Sequence, residues 1–514
     1  MYQASMKRVA ILIMWCILHT TQAFNYDCPQ HCNCDGPTAK CEGGIIPSLN
    51  PRITAFEIED MDTPITTLTS DITQQLKNLV SLRLNSIGLT RVEAGALAVI
   101  DRLLDLYINN NNINMLTKDT FLNCSSLTHL NLDHNNIHII QNETFMPLEQ
   151  LQILSLAHNA LKVLPNYMPR SIQTLNIEEN NLSTITQLFL DHLESLNLCH
   201  NSIIHIDPDQ ISLNELRSLC LGGPNFNLSD SIVSPSKFPQ LKQLTLMGSQ
   251  QSPLRINPDV QSNIKTMART SLHKLHLQSC SLLSADLFNL TNSKLTDVKA
   301  TDTTLTSKVF KRSAINLPYI TILDFSGSPS LAQMFLRSPR PSSAMPHLRI
   351  LKMSRCGINA FYESFLHQQV PNITDLDLSY NPLECTCYGM TWIPDYVREG
   401  KLNLLQELNT TCSKPLHLSA IPLLTASMCP ITRAIDTTTT TTTTSITKES
   451  PQTTPHFCVT SSGSSNGVSK CKNPSTTTIG LDGMHEESST GNGQKLSGIM
   501  TGVVISYVSV LVLN

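Results

Sequence analysis

The sequence predicts an α/β solenoid, a curved stack of short coils with a parallel β-sheet on its concave face and a disulfide-braced cap at each end. Three observations carry that prediction. Between Leu103 and Leu161 the chain reads LLDLYINNNNI, LTHLNLDHNNI and LQILSLAHNAL, and Leu103, Leu127 and Leu151 are 24 residues apart. Clustered cysteines flank the periodic region, Cys28 to Cys41 before it and Cys385 to Cys429 after it. Ahead of both stands a charged and then apolar leader of the kind that sends a chain into an oxidising compartment.

The spacing L-x-x-L-x-L-x-x-N-x-L is that of a leucine-rich repeat. Apolar residues alternate across a short strand, so Leu106 and Ile108 point inward while Asp105, Tyr107 and Asn109 point out. Asparagines such as Asn111, Asn135 and Asn159 stand where the chain turns, and their amides can bond the backbone of neighbouring coils. One repeat cannot bury its own leucine face, so several must stack into a continuous core. A solenoid grows by adding coils, so a length of 514 residues does not require several globular domains. With 36 basic and 40 acidic residues the net charge is −4, too balanced to point to nucleic acid or a charged membrane surface as partner.

Taken in order, residues 1–23 carry Lys7 and Arg8, the apolar run Val9 to Leu18, and small residues at Thr21 and Ala23, which together read as a secretory signal peptide. Its removal takes Cys16 and leaves 15 of the 16 cysteines. Residues 24–52 form the first cap, in which C-x3-C-x-C-x6-C (Cys28, Cys32, Cys34, Cys41) is expected as disulfides, because the paired C-x2-C of a zinc knuckle is missing.

Residues 53–383 hold 14 repeats, opening at Ile53, Leu79, Leu103, Leu127, Leu151, Ile172, Leu193, Leu216, Leu241, Leu272, Leu295, Ile320, Leu348 and Ile373. Steps run from 21 to 31 residues, so the convex side must vary from coil to coil. From Leu216 to Leu331 the pattern degenerates, with Pro224, Ser249, Thr303 and Ser328 at the asparagine position. Cys280 and Cys356 occupy that position too and are expected to be buried and free, each thiol replacing the amide as a weak donor. Cys199 and Cys220 lie on adjacent coils but two positions apart along the strand, about 8 Å by sheet geometry. A disulfide needs Cα atoms within about 7 Å, so no bond is expected there.

Residues 384–430 form the second cap, where Trp392 can cover the last coil while Cys385, Cys387, Cys412 and Cys429 supply two disulfides. At Thr437 eight consecutive threonines begin a Ser/Thr/Gly/Pro segment; residues 431–498 are expected to form an unfolded stalk, O-glycosylated or a plain linker. Within it Cys458 and Cys471 can close a loop or link two chains. Residues 499–514 are apolar with no basic residue following. The run Ile499 to Leu513 is short for a bilayer span of about 20 residues, and it follows the small triplet Ser489-Thr490-Gly491 and a polar spacer. That fits a glycosylphosphatidylinositol signal with attachment at Ser489, the alternative being a short single-pass helix. N-x-S/T sequons stand at Asn123, Asn142, Asn181, Asn227, Asn289, Asn372 and Asn409.

No nucleophile elbow, metalloprotease, P-loop or dinucleotide motif is present, so no cofactor and no enzymatic activity is expected. One constellation bears on chemistry. Just before the turn asparagine, successive coils place His134, His158, Glu179 and His200, a ladder able to offer two imidazoles and a carboxylate to zinc or else a solvated polar rim. The register also sets the concave face: Arg83, Tyr107, Asn131, Asp133, Asn176 and Glu178 in the N-terminal half, and Lys274, His276, Lys299, Asp324, Lys352 and Asp377 beyond. Such surfaces bind proteins or glycans, and Tyr107 is the best single anchor.

The order of cap, repeats and cap over residues 28 to about 430 resembles extracellular leucine-rich-repeat receptors with cysteine-rich flanks. That resemblance implies the pairs Cys28–Cys34, Cys32–Cys41, Cys385–Cys412 and Cys387–Cys429. FLNCSSL at 121–127 and LPNYMPRSIQTLNI at 164–177 are similar to coils of Toll-like receptor ectodomains, while the stalk and tail resemble lamprey variable lymphocyte receptors or the lipid-anchored Nogo receptor. Unlike variable lymphocyte receptors, the repeats here are irregular in length. The resemblance implies a receptor or co-receptor on the outer face of the plasma membrane, serving innate immune recognition or, alternatively, adhesion or developmental recognition. Its partners would be an extracellular protein or glycan and a transmembrane protein that carries the signal.

Overall fold

The computed structural model describes residues 28–43, 46–61, 63–306, 315–337, 345–386 and 389–428. The leader, the stalk with Cys458 and Cys471, Ser489, the apolar tail, and the Cys387–Cys429 pair lie outside the described residues.

Each coil contributes one strand to a parallel sheet, and the fourteen strands from Ala55–Glu59 to Asp375–Asp377 each begin two residues after the apolar residue that opens the repeat. This holds through the degenerate region, in Ser218–Gly222, Gln243–Met247, Lys274–Gln278 and Asp297–Thr301. Alternation explains why: in Ser81–Asn85, Leu82 and Leu84 are fully buried while Ser81 and Arg83 face out, and a one-residue slip would turn the leucines to solvent. Strands at both ends extend the sheet to 17. Its buried leucines, isoleucines and phenylalanines form one continuous cluster running from cap to cap.

Coil length decides the convex side. The 31-residue step from Leu241 holds a helix, Pro258–Thr270, capped by Asn257, whose Oδ1 accepts from Val260 N at 2.8 Å. Val260, Ile264, Met267 and Ala268 form its buried stripe. The 21-residue coil opening at Ile172 has room only for a two-residue strand, Leu188–Phe189.

The turn asparagines form a ladder. Asn135 Nδ2 donates to Ile108 O of the preceding coil (2.8 Å) and to Leu132 O (3.1 Å), while its Oδ1 accepts from Ile113 N (3.0 Å). Asn111, Asn159, Asn180, Asn201 and Asn381 repeat the pattern. Shorter side chains substitute in the second half: Ser328 Oγ donates to Ala300 O (2.6 Å) and accepts from Thr303 N (2.7 Å). Cys280 and Cys356 are buried and free, and their Sγ atoms donate to Leu246 O (3.4 Å) and Phe325 O (3.0 Å).

At Pro224 and Ser249 the ladder is interrupted, and the backbones close the gap themselves. A Cβ on Gly223 would stand 2.0 Å from Asn201 O, and one on Gly248 2.3 Å from Ser279 O, so only glycine permits the approach. Beside this gap Cys199 and Cys220 do form a disulfide, with Cα atoms 5.5 Å apart, against the expectation from sheet geometry. The strand ends at Asn197, and the chain then turns through His200 (φ 57°), so the flat-sheet diagonal does not apply. Leu198 N also donates to Cys220 O (3.0 Å), which draws Cys199 alongside.

Both ends are covalently closed. Cys32–Asp35 pairs antiparallel with Thr38–Glu42, and the hairpin carries Cys28–Cys34 and Cys32–Cys41 with Cα atoms 5.8 and 4.0 Å apart. At the other end stands Cys385–Cys412, with Cα atoms 5.6 Å apart. There Trp392 lies against Phe361, ring centroids 5.8 Å apart, and its Nε1 donates to Phe361 O at 2.8 Å, so the indole closes the core without leaving its N–H unpaired.

Candidate ligand-binding face

Hydrogen bonding puts Glu57, Arg83, Tyr107, Asn131, Ser155, Asn176 and Asn197 in register across successive strands of the concave face. Adjacent parallel strands are about 4.8 Å apart, so neighbours along this row come within side-chain reach. The Arg83 guanidinium lies over the Tyr107 ring, 3.8 Å from its centroid, which holds the phenol upright and places a fixed cation beside it.

Further along, the four other predicted residues join into one network. Asp133 N donates to Asn131 Oδ1 (2.8 Å), and Asp133 Oδ1 accepts from Ser155 Oγ (2.6 Å) and Ala157 N (2.7 Å). Asn176 Nδ2 donates to Ser155 Oγ (3.2 Å), Glu178 N to Asn176 Oδ1 (3.3 Å), and Asn197 Nδ2 to Glu178 Oε2 (2.9 Å). All six predicted residues are half-buried, which limits the rotamer entropy lost when a ligand docks. Sequence reasoning passed over Ser155 and Asn197, although both share Tyr107's register position. The hydrogen bonds that Asp133 and Glu178 accept come from neutral groups, Ser155 Oγ, Ala157 N and Asn197 Nδ2. Asp105, by contrast, is paired with His129 (2.9 Å).

In the C-terminal half the row continues through His276, Lys299, Asp324, Lys352 and Asp377, with Lys274 one row away on the edge of the same face. His276 Nε2 approaches Asp297 Oδ2 at 3.4 Å, longer than a good hydrogen bond. Burial acts to raise the Asp297 pKa, but His276, Lys299 and Lys274 outweigh it and hold the carboxyl below its ordinary range.

In the histidine ladder two rings stack and one meets a carboxylate. His134 and His158 stack face to face, ring centroids 4.0 Å apart and 10° from parallel, and His158 Nδ1 meets Glu179 Oε2 at 2.7 Å. Parallel rings send their lone pairs side by side instead of toward one point. Among the described residues no group of three or more His, Cys, Asp or Glu is placed to hold a metal ion. Of the sequon asparagines, Asn123, Asn142, Asn181, Asn227, Asn289 and Asn372 are exposed and Asn409 half-buried, and none lies in a strand of the concave sheet. No helix among the described residues is long and apolar enough to cross a membrane.

The fold is therefore a leucine-rich-repeat solenoid with a polar concave sheet and disulfide-closed ends. The leucine rich repeat family profile matches residues 101–161. Solved structures similar to the chain include the TLR13–ssRNA13 complex, at 18% identity and a TM-score of 0.41, covering 69% of this chain and 61% of that one. A leucine-rich-repeat protein of Leptospira interrogans is similar at 16% identity and a TM-score of 0.44, covering 71% of this chain and 89% of its own. A search of curated proteins gives no match.

Proposed function

We propose that the protein is a non-catalytic cell-surface receptor or co-receptor that binds an extracellular protein or glycan on the N-terminal half of its concave face. The observation that carries this reading is the pre-ordered array of Arg83 stacked on Tyr107 beside the Asn131–Asp133–Ser155–Asn176–Glu178 network. A rigid aromatic next to fixed donors and acceptors is what an interface anchor requires, and the two carboxylates with neutral hydrogen-bond partners favour a ligand presenting Lys or Arg. Innate immune recognition is the leading role, with adhesion or developmental recognition as the alternative. The terminal tail supports attachment by a glycolipid at Ser489, so that a transmembrane partner carries the signal onward.

Screening the purified ectodomain against microbial products and against cell-surface proteins separates the two roles. For the ligand found, Tyr107→Ala is expected to weaken binding by about 30-fold, the effect of losing a hot spot of about 2 kcal/mol. Wild-type affinity in both Tyr107→Ala and Asp133→Asn would remove the concave face from the interaction. Phosphatidylinositol-specific phospholipase C is expected to release the protein from intact cells. Retention with the apolar tail still present in the mature chain would show a membrane-spanning helix instead.

A further inference from the structure

On the convex side, between the coils opening at Leu151 and Ile172, lies a groove of about 240 Å³ lined by Leu164, Asn166, Tyr167, Arg170, Leu188 and Phe189 among others. Tyr167 and Phe189 are large apolar side chains left 42% and 50% exposed on its walls. The groove is smaller than the roughly 300 Å³ at which pockets for free ligands begin. One of its lining residues is tied to a sequon: Asn166 N donates to Asn142 Oδ1 at 3.3 Å.

We infer that Asn142 carries an N-linked glycan whose first sugars lie in this groove, their apolar ring faces against Tyr167 and Phe189. The Asn142 side chain is exposed, and its Oδ1 is the atom held by the groove, so Nδ2 remains for the sugar. At two other sequons that nitrogen is engaged within the fold, Asn372 Nδ2 donating to Pro346 O (2.8 Å) and Asn409 Nδ2 to Gln406 Oε1 (3.1 Å). Aromatic rings with one face wet suit a sugar, which is apolar on its C–H face and polar at its rim. Tethering resolves the size problem, because a covalently attached ligand acts at an effective concentration of order millimolar and fills a site too weak for a free one.

The attachment itself takes place before the fold closes. The sequon hydroxyl, on Thr144, is fully buried in the fold and donates to Gln141 O (2.6 Å). In the transfer, Nδ2 attacks C1 of a diphosphate-activated oligosaccharide; the N–C1 bond forms as the C1–O bond breaks, and an amide proton leaves with the diphosphate.

The test uses the full chain produced through a secretory pathway. Glycopeptide mass spectrometry is expected to find Asn142 occupied. Peptide-N-glycosidase acting on the native protein should release the Asn142 glycan about tenfold more slowly than those at Asn181 and Asn289, as a tethered ligand spending most of its time seated would require. Tyr167→Ala should erase that difference, and unfolding the protein should make all sites equal. An unmodified Asn142, equal native release rates, or continued protection in Tyr167→Ala would each overturn the inference. None of these readouts depends on the receptor's ligand.

Discussion

Replacing Asn135 by alanine tests the physical basis of the stack. Its amide closes four hydrogen bonds inside the solenoid, donating to Ile108 O, Leu132 O and Asp133 O and accepting from Ile113 N, and the site is too buried for water to take over. A buried group left without a partner costs about 1–3 kcal/mol, so stranding Ile113 N and Ile108 O costs about 2–6 kcal/mol. In a repeat protein that loss falls on the interface between two neighbouring coils before it reaches the whole chain. Amide exchange of the ectodomain, followed by mass spectrometry, should therefore quicken around Ile108–Ile113 by at least about 30-fold while distant coils change little. Asn135→Ser should be milder, because Ser328 Oγ donates to Ala300 O, the counterpart of Ile108 O, so a serine can keep that bond and leaves only Ile113 N without its partner. Unchanged exchange in Asn135→Ala, or equal effects of alanine and serine, would refute the claim that this side chain holds adjacent coils together.

Replacing Cys199 and Cys220 together with serine should lower stability by about 3 kcal/mol, since their cross-link closes a loop of 21 residues beside the ladder gap; an unchanged melting temperature would contradict that role. Burial raises the thiols of Cys124 and Cys280 to about 12 and that of Cys356 to about 11, so none should react with iodoacetamide in the native protein at pH 8, and all three should react on unfolding. Because the Asp297 carboxyl is held low in the fold, its charge contributes stability above the unfolded carboxylate pKa, and that contribution is lost as pH falls through the lower folded value. Urea midpoints measured from pH 5 downward should accordingly fall less steeply in Asp297→Asn than in the wild type, and parallel curves would sink the assignment.

Strand alternation was legible in the residues alone. Leu82 with Leu84 and Leu106 with Ile108 set which side of each strand is buried, and local alternation survives even where Pro224 or Ser249 stands in the asparagine position. The same periodicity placed Arg83, Tyr107, Asn131, Asp133, Asn176 and Glu178 on one face, because residues at equal offsets in parallel coils become register partners. It could not say which of them touch. That depends on side-chain reach across a curved sheet, which stacks Arg83 on Tyr107 and routes the Asp133 contacts through Ser155. Where the chain leaves the strand, repeat arithmetic loses its force. The turn after Asn197 brings Cys199 to Cys220, which stand at different offsets in their coils; their proximity follows from the path between strands, and no period in the sequence encodes that path.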